Sequence, residues 1–203
     1  MKKLLISLIM LMSCSVYAQI GVKAGFNFAN VTKVSSINNS SHSGFNIGIF
    51  LAPAYKKILS SKTELIFSRQ GYNYKTNTNT GKVDLDYIML PQYLCINITH
   101  FFQIHVGAQM AYLINAKADS TTNTGMTGSY SNILSFYNRF DFGLGGGVEV
   151  HPYSGLLIGA RMNISLGNLY QSPTTAATQP GFIPAVNIKN NRVQIYAGWR
   201  FGK

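Results

Sequence analysis

The chain has 203 residues, with 17 Lys and Arg against 6 Asp and Glu, for a net charge of +11. That length allows one domain. The cations are scattered along the chain rather than gathered in a patch, which argues against nucleic acid and fits anionic lipid head groups as a partner. Two cysteines, Cys14 and Cys95, one of them in a leader, exclude an internal disulfide in the mature chain.

The N-terminus reads as a secretory signal peptide over residues 1–18. Lys2 and Lys3 precede a short uncharged core from Leu4 to Met12, and Val16-Tyr17-Ala18 forms the cleavage region before Gln19. Leu11-Met12-Ser13-Cys14 is a competing lipoprotein site, with Met12 a poor fit. The mature chain, 19–203, has no later apolar run long enough for a membrane helix, so any spanning structure is a closed barrel.

Period-two alternation then recurs along the chain. Over 20–30, Val22, Ala24, Phe26 and Phe28 oppose Lys23, Gly25 and Asn27. Over 44–54, Phe45, Ile47, Ile49 and Leu51 oppose Gly44, Asn46 and Gly48. Over 62–74, Leu65 and Phe67 oppose Glu64, Ser68 and Gln70, with Arg69 on the apolar face near one end, where a long cation can reach the head groups. The fourth strand, 83–97, has no decided register. Leu85, Tyr87, Met89 and Tyr93 could meet lipid with Asp84, Asp86 and Gln92 inside, yet Ile88, Leu90 and Leu94 are as apolar, and Pro91 removes a ladder donor.

The clearest alternation is Phe102, Ile104, Val106, Ala108, Met110, Tyr112 and Ile114, resumed by Phe140, Phe142, Leu144, Val148 and Val150. His105 and Gln109 lie opposite the first set; Arg139, Asp141 and Glu149 lie opposite the second. After a turn at 151–154, the strand over 155–167 sets Ile158, Met162 and Ile164 against Arg161 and Asn163. The last sets Val193, Ile195 and Trp199 against Arg192, Gln194 and Arg200.

Eight strands with connections alternating long and short predict an all-β fold, an eight-stranded antiparallel up-and-down transmembrane β-barrel with apolar side chains toward lipid. The long loops 31–43, 73–82, 115–135 and 168–187 are expected outside the outer membrane, with both termini periplasmic. Phe28, Tyr55, Phe102, Tyr112 and Trp199 stand near strand ends as interfacial girdles.

Short motifs add a resemblance. Gly21-Val22-Lys23-Ala24-Gly25-Phe26-Asn27, Glu64-Leu65-Ile66-Phe67-Ser68-Arg69-Gln70-Gly71, Tyr87-Ile88-Met89-Leu90-Pro91, Asp141-Phe142-Gly143 with Gly145-Gly146-Gly147, and Gly198-Trp199-Arg200-Phe201 together make the chain similar to the PorT-like outer membrane β-barrel family of Bacteroidetes. The resemblance implies an eight-stranded outer-membrane barrel, and its namesake is linked to type IX secretion. Met89 stands where the family often has an acid, and Gly202-Lys203 extends beyond the aromatic end expected of a barrel-assembly signal.

The residues expected to share the barrel interior are Lys23, Glu64, Gln70, Asp86, His105, Arg139, Asp141, Glu149, Arg161 and Arg200. An eight-stranded barrel is narrow enough for side chains to fill, and buried charges must pair, so a salt-bridged interior without an open pore is expected. Arg139 and Asp141 with Arg161 are the expected cluster. His105 is placed opposite Gly145, too far from Glu149 for a catalytic pair and without an adjacent serine, so it reads as a polar plug residue. Gly143 to Gly147 lies in a strand pattern rather than a phosphate-binding turn. The histidines lack metal-ligand spacing.

No catalytic, cofactor or metal residue is assigned. The expected role is structural, adhesive or in envelope assembly. The alternatives are an accessory of a type IX-like secretion complex and a lipid-modifying enzyme using His105. Expected partners are outer membrane lipid, the barrel-assembly machinery during insertion and an envelope or secretion complex, around a monomeric barrel.

Overall fold

The computed structural model describes residues 18–31, 38–53, 58–75, 79–122, 127–131, 133–170 and 189–202. The leader up to residue 17, Tyr55, and most of the 168–187 connection lie outside these residues. Nine strands are described: β1 (Ala18–Val31), β2 (Asn38–Pro53), β3 (Leu59–Lys75), β4 (Asn79–Asn97), β5 (Phe102–Thr122), β6 (Thr127–Ser131), β7 (Phe140–Tyr153), β8 (Leu156–Ser165) and β9 (Asn190–Arg200).

Eight of them are staves of one closed antiparallel ring, β1-β2-β3-β4-β5-β7-β8-β9, with β9 returning to β1. β6 is a short addition paired to the upper part of β5. Among the described residues no helix is long and apolar enough to cross a membrane; the crossing is made by strands. Paired residues followed round the ring from Ile20 run through Leu51, Thr63, Gln92, Ala108, Leu144 and Ile164. One step beyond the Asn163–Arg192 pair the trace reaches Asn191, and it returns to β1 at Asn30, ten residues above its start. That stagger tilts the staves and fixes the width of the lumen.

Alternation decides the faces. Phe26, Phe45, Ile47, Leu65, Val106, Phe142, Leu144, Ile158, Met162, Ile195 and Trp199 are exposed on the outer wall, while Lys23, Asn46, Glu64, Gln109, Glu149, Arg161 and Gln194 are buried inside. Such an inversion of the usual soluble pattern makes the outer wall a lipid belt. On β4 the open register resolves with Leu85, Tyr87, Met89 and Tyr93 in the lumen and Ile88, Leu94 and Ile96 outward. Pairing between β3 and β4 skips Glu64 and Leu65, across from Pro91, which has no N–H to give.

The connections expected at 31–43, 73–82 and 115–135 are in large part strand. β2 begins at Asn38, β3 continues to Lys75, β4 starts at Asn79 and β5 runs to Thr122. These extensions stand beyond the lipid belt, where the outward side chains become polar: Arg69, Lys75, Lys82, Lys117 and Asp119. The alternation therefore reverses there instead of stopping, which is why it resembles a loop in the sequence. On β5 one inserted residue makes the adjustment. Asn115 pairs with Asp86 and Leu113 with Tyr87, so Ile114 is extra, a β-bulge that changes which parity faces inward. Below it Gln109, Ala111 and Leu113 are buried; above it Ala116 and Ala118 are.

The turn expected at 151–154 lies two residues later: Tyr153 pairs with Leu156 around Ser154–Gly155, and Gly155 has φ +94°, a left-handed conformation that glycine adopts without strain.

Candidate functional site

Among the described residues the deepest convergence of ionisable side chains is in the lumen. At its centre Glu64, on β3, accepts from Lys23 Nζ on β1 at 3.0 Å and from Arg161 on β8 at 2.8 and 3.0 Å. Glu149, on β7, accepts from Lys62 Nζ at 2.7 and 3.0 Å and from the Tyr196 hydroxyl at 2.9 Å. Lys62 also stands 3.6 Å from Glu64, joining the two groups into one network. The aromatic rings complete it. Lys23 Nζ sits 3.7 Å from the Tyr196 ring centre, and the Arg161 guanidinium is 4.3 Å from Tyr93 and 4.8 Å from Tyr196.

Large side chains fit because glycines face them. A Cβ on Gly159 would lie 2.5 Å from the Tyr196 ring, and one on Gly145 would lie 2.4 Å from Asn163 Oδ1 and 3.0 Å from the Tyr93 hydroxyl. The glycine run of β7 thus leaves room for neighbouring side chains within a strand.

Above the charges lies an amide layer. Asn27 donates to Ser68 Oγ and accepts from Asn46 and Gln194, each at 2.8 Å; Asn163 donates to Gln194 at 3.2 Å. Arg192 donates to the carbonyl oxygens of Gln70 and Gln109. At the end with the long connections the filling turns apolar. Tyr72, Val83, Leu85, Tyr87, Leu113, Ala116 and Ala118 line the wall, and Ile133, Tyr137, Leu169 and Tyr170 fold in against them. The Tyr72 hydroxyl lies 2.9 Å from that of Tyr137 and 2.6 Å from that of Tyr170. Burial pushes the Tyr137 and Tyr170 phenols up, so they remain neutral hydrogen-bonding groups.

The ten sequence-assigned interior residues divide. Lys23, Glu64, Gln70, His105, Glu149 and Arg161 project into the lumen and are buried. Asp86 is also buried, but not in the lumen: it lies on the outer face, directly across from Arg69, and receives Arg69 Nε at 2.7 Å and Nη2 at 3.0 Å, with Asn115 Nδ2 at 3.0 Å. Its neighbours Leu85 and Tyr87 hold the inward positions, so parity sends it out.

Arg139 is exposed at the entry to β7 and donates to the Tyr112 hydroxyl at 3.3 Å. Asp141 is half-buried near the mouth and accepts from Ser165 Oγ. Arg200 is half-buried at the short-turn end. The cluster expected from Arg139, Asp141 and Arg161 does not form. Arg161 is level with Gly147, six residues along β7 from Asp141, a separation of roughly 20 Å at strand rise.

His105 pairs with Gly147, not Gly145, and Glu149 pairs with Gln103. The His105 ring packs edge-on to Tyr93 at 5.1 Å, and neither ring nitrogen has a hydrogen-bond partner.

Lys62, Tyr93 and Tyr196 were missed as interior residues, and Arg192, already placed on the inward face with Gln194 and Arg200, was left out of the interior set. Lys62 has the parity of Glu64, so alternation extended by one more step would have found it. Among the described residues no group of three or more His, Cys, Asp or Glu could hold a metal, and Cys95 is a buried free thiol.

The family described as Outer membrane protein beta-barrel domain matches residues 13–171. No curated protein matches the chain. Among solved structures, the chain is similar to Ail, the attachment invasion locus protein of Yersinia pestis, at 14% identity and a TM-score of 0.50, covering 92% of this chain and 100% of that one. It is also similar to Neisserial surface protein A, at 14% identity and a TM-score of 0.51, covering 90% and 97%. At such identity the likeness concerns the fold.

Proposed function

Because the chain belongs to the outer membrane protein beta-barrel domain family and folds as an eight-stave barrel, we propose that this integral outer-membrane protein is a sealed, non-catalytic anchor. Its working surface is the stranded wall beyond the lipid belt. The observation that carries this reading is the filling of the interior: a buried charge network across the lumen and, above it, the tyrosine-rich cap. Neither leaves the barrel suited to passing solutes, whereas the extended β2–β6 wall offers a rigid platform for adhesion or envelope assembly.

In this reading the wall faces outside and the termini are periplasmic. The barrel-assembly machinery inserts a monomer, and no cofactor is required. The lipid-modifying alternative finds no support at His105, since neither of its ring nitrogens reaches an acid or a hydroxyl and a nucleophile–base pair needs that contact.

The purified barrel reconstituted in a planar bilayer tests the seal: steady single-channel conductance would overturn it. A second measurement is the mass of the particle extracted from native membrane in mild detergent. A barrel-sized particle supports the stand-alone anchor, and a large one with stoichiometric companions replaces it with membership of an envelope or secretion complex.

A further inference from the structure

The charges inside the barrel do not balance. Lys23, Lys62, Arg161 and Arg192 are each at most 3% exposed, and among the described residues the carboxylates buried as deeply are Glu64 and Glu149. Three of the cations share those two acids. Arg192 donates directly to the neutral oxygens of Gln70 and Gln109, while the half-buried Asp141, bonded to Ser165, acts on it without an ion pair. The position of Arg192 adds to the cost. Arg161 pairs with Gln194 and Asn163 with Arg192, so the two arginines are diagonal neighbours on the inward face of adjacent strands. Like charges so placed in a low-dielectric interior repel, and an uncompensated buried charge is costly.

Polar atoms without partners gather in the same region. Arg161 Nε and Arg192 Nε have no acceptor, and neither ring nitrogen of His105 is bonded. Arg161 and His105 both pack on Tyr93, whose hydroxyl donates to Asn163 between the two arginines.

We propose that the lumen binds a small inorganic anion at Arg192, within reach of Arg161 and on the Tyr93–His105 side. A monovalent anion such as a halide is the class that fits. It brings charge without a proton to accommodate and takes N–H donors from several directions. Asp141 offsets part of this charge from near the mouth, but the groups that touch Arg192 are neutral amides. The site is independent of what the outer wall contacts.

The test uses the purified full-length barrel in detergent. Its heat-modifiable gel mobility would be followed in sodium chloride, sodium bromide and sodium gluconate at equal ionic strength, which removes general screening from the comparison. A site on the folded state raises the unfolding midpoint with halide concentration and saturates. Crystals in bromide should show an anomalous peak beside the Arg192 guanidinium. Arg192→Gln should raise the halide concentration for half the effect by about tenfold or more, because it removes the charge-assisted donors. Identical midpoints in halide and gluconate would overturn the proposal without recourse to any variant. So would a halide effect undiminished in Arg192→Gln with the bromide peak elsewhere, the signature of an adventitious ion only.

Discussion

β3 and β5 each pass through two regions that obey opposite rules. Within the lipid belt they turn Leu65, Phe67, Ile104, Val106 and Met110 outward and Lys62, Glu64, Gln103, His105 and Gln109 inward. Beyond Arg69 and Ile114 the same strands turn Lys75, Lys117 and Asp119 outward and Tyr72, Ala116 and Ala118 inward. The face of a strand that carries apolar side chains is set by the medium it meets, not by the curvature of the sheet. The two regions are also closed by different chemistry: ion pairs and amides in the first, packed rings and phenol hydrogen bonds in the second.

The strongest way to break the polar region is Glu64→Ala. It leaves Lys23 and Arg161 buried without their carboxylate, and a broken buried pair costs about 3–5 kcal/mol. Urea unfolding of the barrel in detergent would measure it; a loss under about 1 kcal/mol would mean that the lumen solvates its charges freely.

Ala118→Asp should spare the belt and undo the cap. Ala118 is fully buried in the apolar wall with Val83, Leu113 and Ala116, and an unpaired carboxylate there is costly. Hydrogen exchange should then show protection lost in 133–137 and β6 while 102–112 stays protected. Equal loss in both would show that the regions do not fold separately.

Tyr72→Phe is a milder probe of the cap. It removes the hydroxyl shared by Tyr137 and Tyr170, costing about 1–3 kcal/mol of local stability. Faster exchange at Tyr137 with an unchanged global urea midpoint is the expected result.

The smallest effect belongs to the boundary between the regions. A double-mutant cycle on Arg69 and Asp86, a pair whose arginine is 44% exposed, should give a coupling of about 0.2–1 kcal/mol that fades with salt.

The belt was legible because lipid imposes one rule on every residue facing it. Phe102 to Ile114 and Phe140 to Val150 displayed that rule with hardly a break, and the ring of eight followed. β4 was not legible, since its lumen face of Leu85, Tyr87 and Met89 is as apolar as its lipid face of Ile88 and Leu94. The extensions were hidden by the change of medium: polar outward residues with alanines behind them resemble a loop when only outward apolar residues are sought. Parity alone brought six of the ten assigned interior residues to the lumen, but it could not supply their partners. Arg161 meets Glu64 from 97 positions away, a contact fixed by the stagger of the whole ring.

The seam between β1 and β9 carries a consequence for how the protein is made. Val22 has its partner in Trp199, and Phe26 in Ile195, so the first stave stays unpaired on that side until β9 is in place. A nascent barrel with every other stave in place still presents two open edges, and in hydrocarbon each unpaired backbone group costs several kcal/mol. Insertion therefore cannot advance to completion stave by stave. It stays provisional, dependent on whatever shields the edge of β1, until the 11 residues of the last strand arrive.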